Sequence, residues 1–112
     1  LDAESEKIEA AARLAGARIT HDSEYPSWTP NLDSELLART RRVFTEVTGT
    51  EPKVEAIHAG LEAGVIGAKH EGMDMVSMGP TVEGAHSPDE RLYIPSIDRI
   101  WRILTALLES FA

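Results

Sequence analysis

A chain of 112 residues is long enough for one domain with a modest core, and its 42% apolar and 27% charged residues are ordinary for a folded, soluble protein. Its 19 acids against 11 bases give a net charge of -8, and the densest basic run, RTRR at 39–42, is flanked by Glu35 and Glu46 on a predicted helix that spreads its arginines over an outer surface; no nucleic-acid partner is expected. The absence of cysteine excludes disulfides, thiolate zinc sites and cysteine nucleophiles, and no apolar run approaches the roughly 20 residues of a membrane helix.

In chain order, AESEKIEAAARLA at 3–15 is alanine-rich, carries Ile8, Ala11, Ala12 and Leu14 at helical spacing, and ends at Gly16. ARITHDSEY at 17–25 alternates weakly and reads as a strand, and PSWTPN at 26–31, with two prolines around Trp28, reads as a domain boundary or hinge. From Asp33 to Thr48, Leu36, Leu37, Thr40, Val43, Phe44 and Val47 form one apolar stripe on a helix, with Asp33 or Ser34 to cap its start and Gly49 its end.

KVEAIH at 53–58 reads as a second strand, AGLEAGVIGAKH as a turn into a short helix, and MDMVSMGP at 73–80 as a third strand. The final segment is the clearest: Ser96 is placed to cap a helix on which Ile97, Ile100, Trp101, Leu104, Leu107, Leu108 and Phe111 form a broad stripe expected to be buried. Helices alternating with short strands predict an α/β layer architecture, helices packed on a small sheet that continues beyond this sequence.

Two stretches offer chemistry. In GPTVEGAHSPDER at 79–91, His86 stands between Pro80 and Pro88 with Asp89 and Glu90 behind it. A neutral imidazole is the commonest side-chain ligand for zinc, and the following carboxylate pair could fix its second nitrogen or orient the loop, yet composition alone favours a surface turn histidine, since zinc takes three or four protein ligands. In IHAGLEAG at 57–64, a strand ends at His58 and a glycine-bounded turn presents Glu62. Ligands gather at such strand ends, but an acid there also complements the dipole of a following helix. His21 and His70 read as solvated. No P-loop, dinucleotide fingerprint, H-E-x-x-H or G-x-S-x-G occurs.

Taken together, IHAGLEAG, MDMVSMGPTVEGAHSPDERLYI and a Trp-bearing terminal helix resemble the C-terminal part of the bacterial aminoacyl-histidine dipeptidases, also called Xaa-His dipeptidase or peptidase D; YPSWTPNLDSELL is similar to that family's return from lid to catalytic domain. The resemblance implies a dizinc metallopeptidase whose catalytic α/β domain is interrupted by a lid that makes the homodimer contact. Residues 1–27 would then end the lid, and 28–112 would close the catalytic domain. It makes His86 the last zinc ligand and Glu62, His58 and Gly60 substrate contacts. It also implies a cytoplasmic enzyme that hydrolyses dipeptides with a water deprotonated by two zinc ions, which polarise the scissile carbonyl and stabilise the oxyanion.

The chain departs from that pattern in one respect. The H-x-D motif and the Glu-Glu pair that supply the other ligands and the general base do not occur in it, and one imidazole cannot hold two zinc ions. No catalytic residue is therefore assigned, little or no zinc is expected in the chain alone, and the chain alone is expected to be inactive. Its start at Leu1, within a helical pattern, fits the expectation of a piece of a longer polypeptide. Two alternatives stand beside this reading: an α/β association module derived from such an enzyme, and a related dizinc deacylase or carboxypeptidase.

Overall fold

The computed structural model describes residues 2–22, 26–57 and 61–112. Among them are four helices, α1 (Asp2–Leu14), α2 (Glu35–Thr48), α3 (Glu62–Lys69) and α4 (Pro95–Glu109), and two short strands, β1 (Val82–Glu83) and β2 (Arg91–Leu92). The strands pair antiparallel, with Val82 opposite Leu92 and Glu83 opposite Arg91. The class is α/β.

Helix α2 follows its local signals closely. Ser34 is its N-cap, its Oγ accepting the Leu37 N–H at 2.9 Å, and Gly49 closes it in the left-handed conformation with its N–H on the Thr45 carbonyl. Thr40 and Val43 are the buried residues of α2, which packs on α4, whose best-buried apolar residues are Ile103 and Leu107. Arg39 closes the far end of this pair. Its guanidinium lies 4.3 Å from the centroid of the Phe111 ring and donates to the Ser110 carbonyl beyond the end of α4. This arginine is therefore committed to helix packing rather than spread into solvent, while Arg41 is paired with Glu51.

The stripe expected on α4 requires correction. Ile103, outside that set, is fully buried, whereas Ile97, Trp101, Leu108 and Phe111 are largely exposed, Trp101 at 66%. Helix α4 is apolar on two faces, and α2 covers only one. Ser96 is not its cap either. Ile94 holds that position with Pro95 as first helical residue, where a missing N–H costs nothing. The Ser96 hydroxyl instead donates to the Tyr93 carbonyl at 2.6 Å and accepts the Thr81 N–H at 2.8 Å.

The three strands read from the sequence are not the ones that pair. Residues 17–22, 53–57 and 73–80 form no ladder among the described residues, because alternation marks a segment fit for a sheet but a ladder requires a neighbour in register. The small sheet arises instead inside the His86 loop. No helix packs on it, and α1 touches no other element among the described residues. A radius of gyration of 18.6 Å, against about 13 Å for a compact domain of this length, describes an open arrangement. Its 9285 Å² of accessible surface, against about 6,000 Å² for a compact protein of 12.2 kDa, says the same.

Candidate functional site

The segment from Asp74 to Thr81 is pinned at both ends. The Asp74 carboxylate accepts from Ser34 Oγ at 2.7 Å and from the Leu36 N–H at 3.1 Å, at the start of α2. Those bonds, with a further one from the Met75 N–H, hold its carboxyl below the ordinary aspartate range against a small opposing effect of desolvation. At the other end, Thr81 donates its N–H to Ser96, accepts the Tyr93 N–H at 2.9 Å and receives Arg99 on its hydroxyl at 3.3 Å, all at the start of α4. Between these ties, the end of the Met75 side chain packs against Gly67 of α3, and a side chain there would have to displace it.

This strap forms one wall of an open groove of about 900 Å³. Residues 53–57 form another part of its wall, and Trp28, Leu37, Phe44 and Leu61 contribute to its apolar lining. The segment at 26–28 lies against α3. The Pro26 carbonyl and Trp28 lie so close to Gly64 of α3 that a Cβ there would be 3.0 Å from the carbonyl oxygen. Each wall of the groove runs directly into one of the two stretches singled out from sequence: 53–57 leads to 58–62, and 75–79 leads to the hairpin of His86.

Glu62 stands exposed in the first turn of α3, beside the groove-lining Leu61 and Gly64. It complements the helix dipole there, in the manner the simpler reading anticipated. His58 and Gly60, the other two proposed substrate contacts, lie outside the described residues.

His86 is carried at the turn of the β1–β2 hairpin. Across the strands, Arg91 places both Nε and Nη2 2.7 Å from Glu83 Oε2, which reinforces the register. Gly84 leaves β1 at φ 63°, where a Cβ would meet Ser87 Oγ at 3.1 Å and the Asp89 carbonyl at 3.4 Å, so any other residue would be strained there. The Gly84 carbonyl accepts from the Ser87 N–H at 3.1 Å and its hydroxyl at 2.7 Å, and the Ser87 carbonyl accepts the Glu90 N–H at 3.1 Å. His86 itself has φ 63°, the one non-glycine residue with positive φ among those described, and its N–H donates to Glu90 Oε2 at 2.6 Å. Its side chain is exposed.

Zinc requires a convergent donor set. Among the described residues no three His, Cys, Asp or Glu side chains come together to hold a metal ion, and neither a hydrogen bond nor an ion pair connects His86 with Glu62. The residues present therefore fit zinc as a single donor and not as a site. The ties of Asp74 and Ser96 were not anticipated from sequence. The acids behind His86 were read as able to orient the loop, and the particular bond from the His86 N–H to Glu90 is what the structure adds.

Comparison with known proteins adds the relationship. The chain is 38% identical over 102 residues to the cytosol non-specific dipeptidase of Escherichia coli strain K12, a match covering 91% of this chain and 21% of that protein. Its fold superposes on the crystal structure of aminoacylhistidine dipeptidase from Vibrio alginolyticus with a TM-score of 0.71 and 39% identity, over 98% of this chain and 23% of that one. The chain thus spans about a fifth of the length of these relatives. A family model matches residues 4–110, nearly end to end, and with it the chain belongs to peptidase family M20/M25/M40.

Proposed function

We propose that this chain serves as part of a metallodipeptidase, contributing the imidazole of His86 to a two-zinc centre and the groove beside Glu62, His58 and Gly60 to the binding of Xaa-His type dipeptides. The observation that carries the reading is the conformation of His86, a non-glycine residue held at positive φ on a hairpin whose base is stitched to α4. Strain of this kind persists where the side chain itself is required. Zinc would supply an activated water and a polarised scissile carbonyl. The remaining donors and the general base lie outside these 112 residues in this reading, so no hydrolytic step is assigned to the chain. Its own part is to hold one donor and one wall of a cleft.

The division into a lid ending near residue 27 and a catalytic portion from 28 to 112 belongs to the same proposal. It draws on the isolation of α1 from every other element among the described residues. A homodimer through the lid and a cytoplasmic location complete it. No helix described is long and apolar enough to cross a membrane.

The test is His86→Ala in the complete dipeptidase polypeptide. Zinc content by elemental analysis and hydrolysis of an Xaa-His dipeptide fall together while circular dichroism is unchanged. Unaltered zinc stoichiometry rejects the ligand role, and preferential turnover of N-acylated amino acids would move the substrate to the deacylase class.

A second reading, a non-catalytic association module, is favoured by the bare stripe of Ile97, Trp101, Leu104 and Leu108 on α4. Light scattering on the 112-residue chain distinguishes it: a tight, stoichiometric dimer supports the module, and a monomer rejects it.

A further inference from the structure

The metal-ligand reading accounts for why a histidine stands at the strained hairpin tip but not for what holds its backbone there. Gly84 to Ser87 form a turn closed by the Ser87 N–H on the Gly84 carbonyl, and His86 occupies its third position at φ 63°. Glycine or asparagine normally stands where a turn demands positive φ at that position. An L-residue with a larger side chain is disfavoured there by roughly tenfold.

One contact acts directly on the strained residue. Glu90 Oε2 accepts the His86 N–H at 2.6 Å, four residues back along the chain. A charged acceptor at that separation makes a stronger bond than a neutral one. The neighbouring groups leave Glu90 available for it: Arg91 is engaged by Glu83, and the Asp89 N–H is directed to Ser87 Oγ at 3.3 Å. The Glu90 N–H is itself fixed on the Ser87 carbonyl, so its carboxylate closes a small ring around the turn.

We propose that Glu90 is a positioning residue, whose carboxylate clamps the His86 N–H and selects the left-handed backbone from which the imidazole leaves the hairpin. In functional terms this rests on the reading of His86 as a metal ligand, and it adds that the donor is preorganised before any metal arrives. A ligand whose backbone is fixed in advance binds with a smaller ordering cost.

The clamp is read first in the isotopically labelled 112-residue chain, without metal. In Glu90→Ala and in Glu90→Asp, which keeps the charge but shortens the reach, the His86 amide exchanges with solvent about tenfold faster, as loss of a charged hydrogen bond requires. The coupling between its amide and α protons moves away from the left-handed value. Glu90→Gln, which retains an acceptor oxygen, recovers most of both. The Tyr93 amide, bonded to Thr81 at the hairpin base, keeps its protection in the Asp and Gln variants and so separates loss of the clamp from loss of the hairpin. Parental exchange and coupling at His86 in both Glu90→Ala and Glu90→Asp overturn the clamp.

Chelator competition on the complete zinc-loaded dipeptidase reads the functional half. Glu90→Ala weakens zinc binding about tenfold and Glu90→Gln restores it, within the range that partners of metal ligands show. Unchanged affinity overturns the positioning role. Failure of the underlying reading is seen separately, as unaltered zinc content in His86→Ala.

Discussion

Ser34 Oγ donates a 2.7 Å hydrogen bond to the carboxylate of Asp74, 40 residues further along the chain, while accepting the N–H of Leu37. Asp74 takes the adjacent Leu36 N–H, so two otherwise unpaired donors of the first turn of α2 are satisfied by a side-chain pair from distant segments. The cap of a helix and the anchor of the groove wall are thus one cluster.

Loss of that cluster is expected to be visible in α2. Ser34→Ala removes both the cap and the bond to Asp74 and destabilises the chain by about 1–2 kcal/mol, near the upper end for cap losses because the residue is buried. Denaturant unfolding followed by helical ellipticity measures it.

Asp74 gives the same cluster a pH dependence. Its carboxyl is held low chiefly by the Ser34 hydroxyl and then by the Leu36 N–H, so the folded form binds its proton less readily than the unfolded chain does. The stabilisation is complete above the unfolded value, about 3.9, and is lost as pH falls through the lower folded value. A series of unfolding curves from neutral pH downward should show this loss in the parent and a shallower one in Asp74→Asn.

A contrast within α4 tests which face is the core. Ile103→Ala leaves a cavity in the buried face of α4 and is expected to cost about 3 kcal/mol, enough to melt the α2–α4 pair in a chain with so small a core. Trp101→Ala removes a far larger side chain but an exposed one, and the expected change is within about 0.5 kcal/mol. Thermal unfolding of the two variants decides the matter; equal losses would mean that the second stripe is covered.

At the hairpin, Gly84→Ala combines an unfavourable left-handed backbone with contacts on Ser87 and Asp89. A cost of about 1–2 kcal/mol is expected, with amide shift changes confined to 82–92. Changes spreading into α2 would contradict a strain contained at the hairpin tip.

What could be read from the residues alone divides along physical lines. Helix α2 and its ends were legible because capping and left-handed termination are properties of a few consecutive residues. The buried face of α4 was misread because Ile103 and the Ile97–Trp101–Leu104–Leu108 stripe are both apolar, and only the position of α2 chooses between them. The strands at 53–57 and 73–80 were recognised by alternation, but pairing depends on neighbours that alternation does not identify. At the candidate site, the GPTVEGAHSPDER stretch located the turn, and the family resemblance supplied the importance of His86. The acids behind His86 were legible as a pair able to orient the loop, but the specific bond to the His86 N–H was not, because a carboxylate four residues from a backbone N–H has many other geometries open to it. Glu62 fell where expected, exposed at the start of α3, with nothing in its local spacing to separate substrate binding from dipole complementation.

The strap from Asp74 to Thr81 has a mechanical consequence. Seven peptide steps reach at most about 25 Å, and each end is bolted to the first turn of a different helix. The crossing of α2 over α4 and the elevation of the His86 turn therefore behave as one variable: the helices cannot scissor apart without towing the hairpin with them, and a load applied at the turn is delivered to the helix pair.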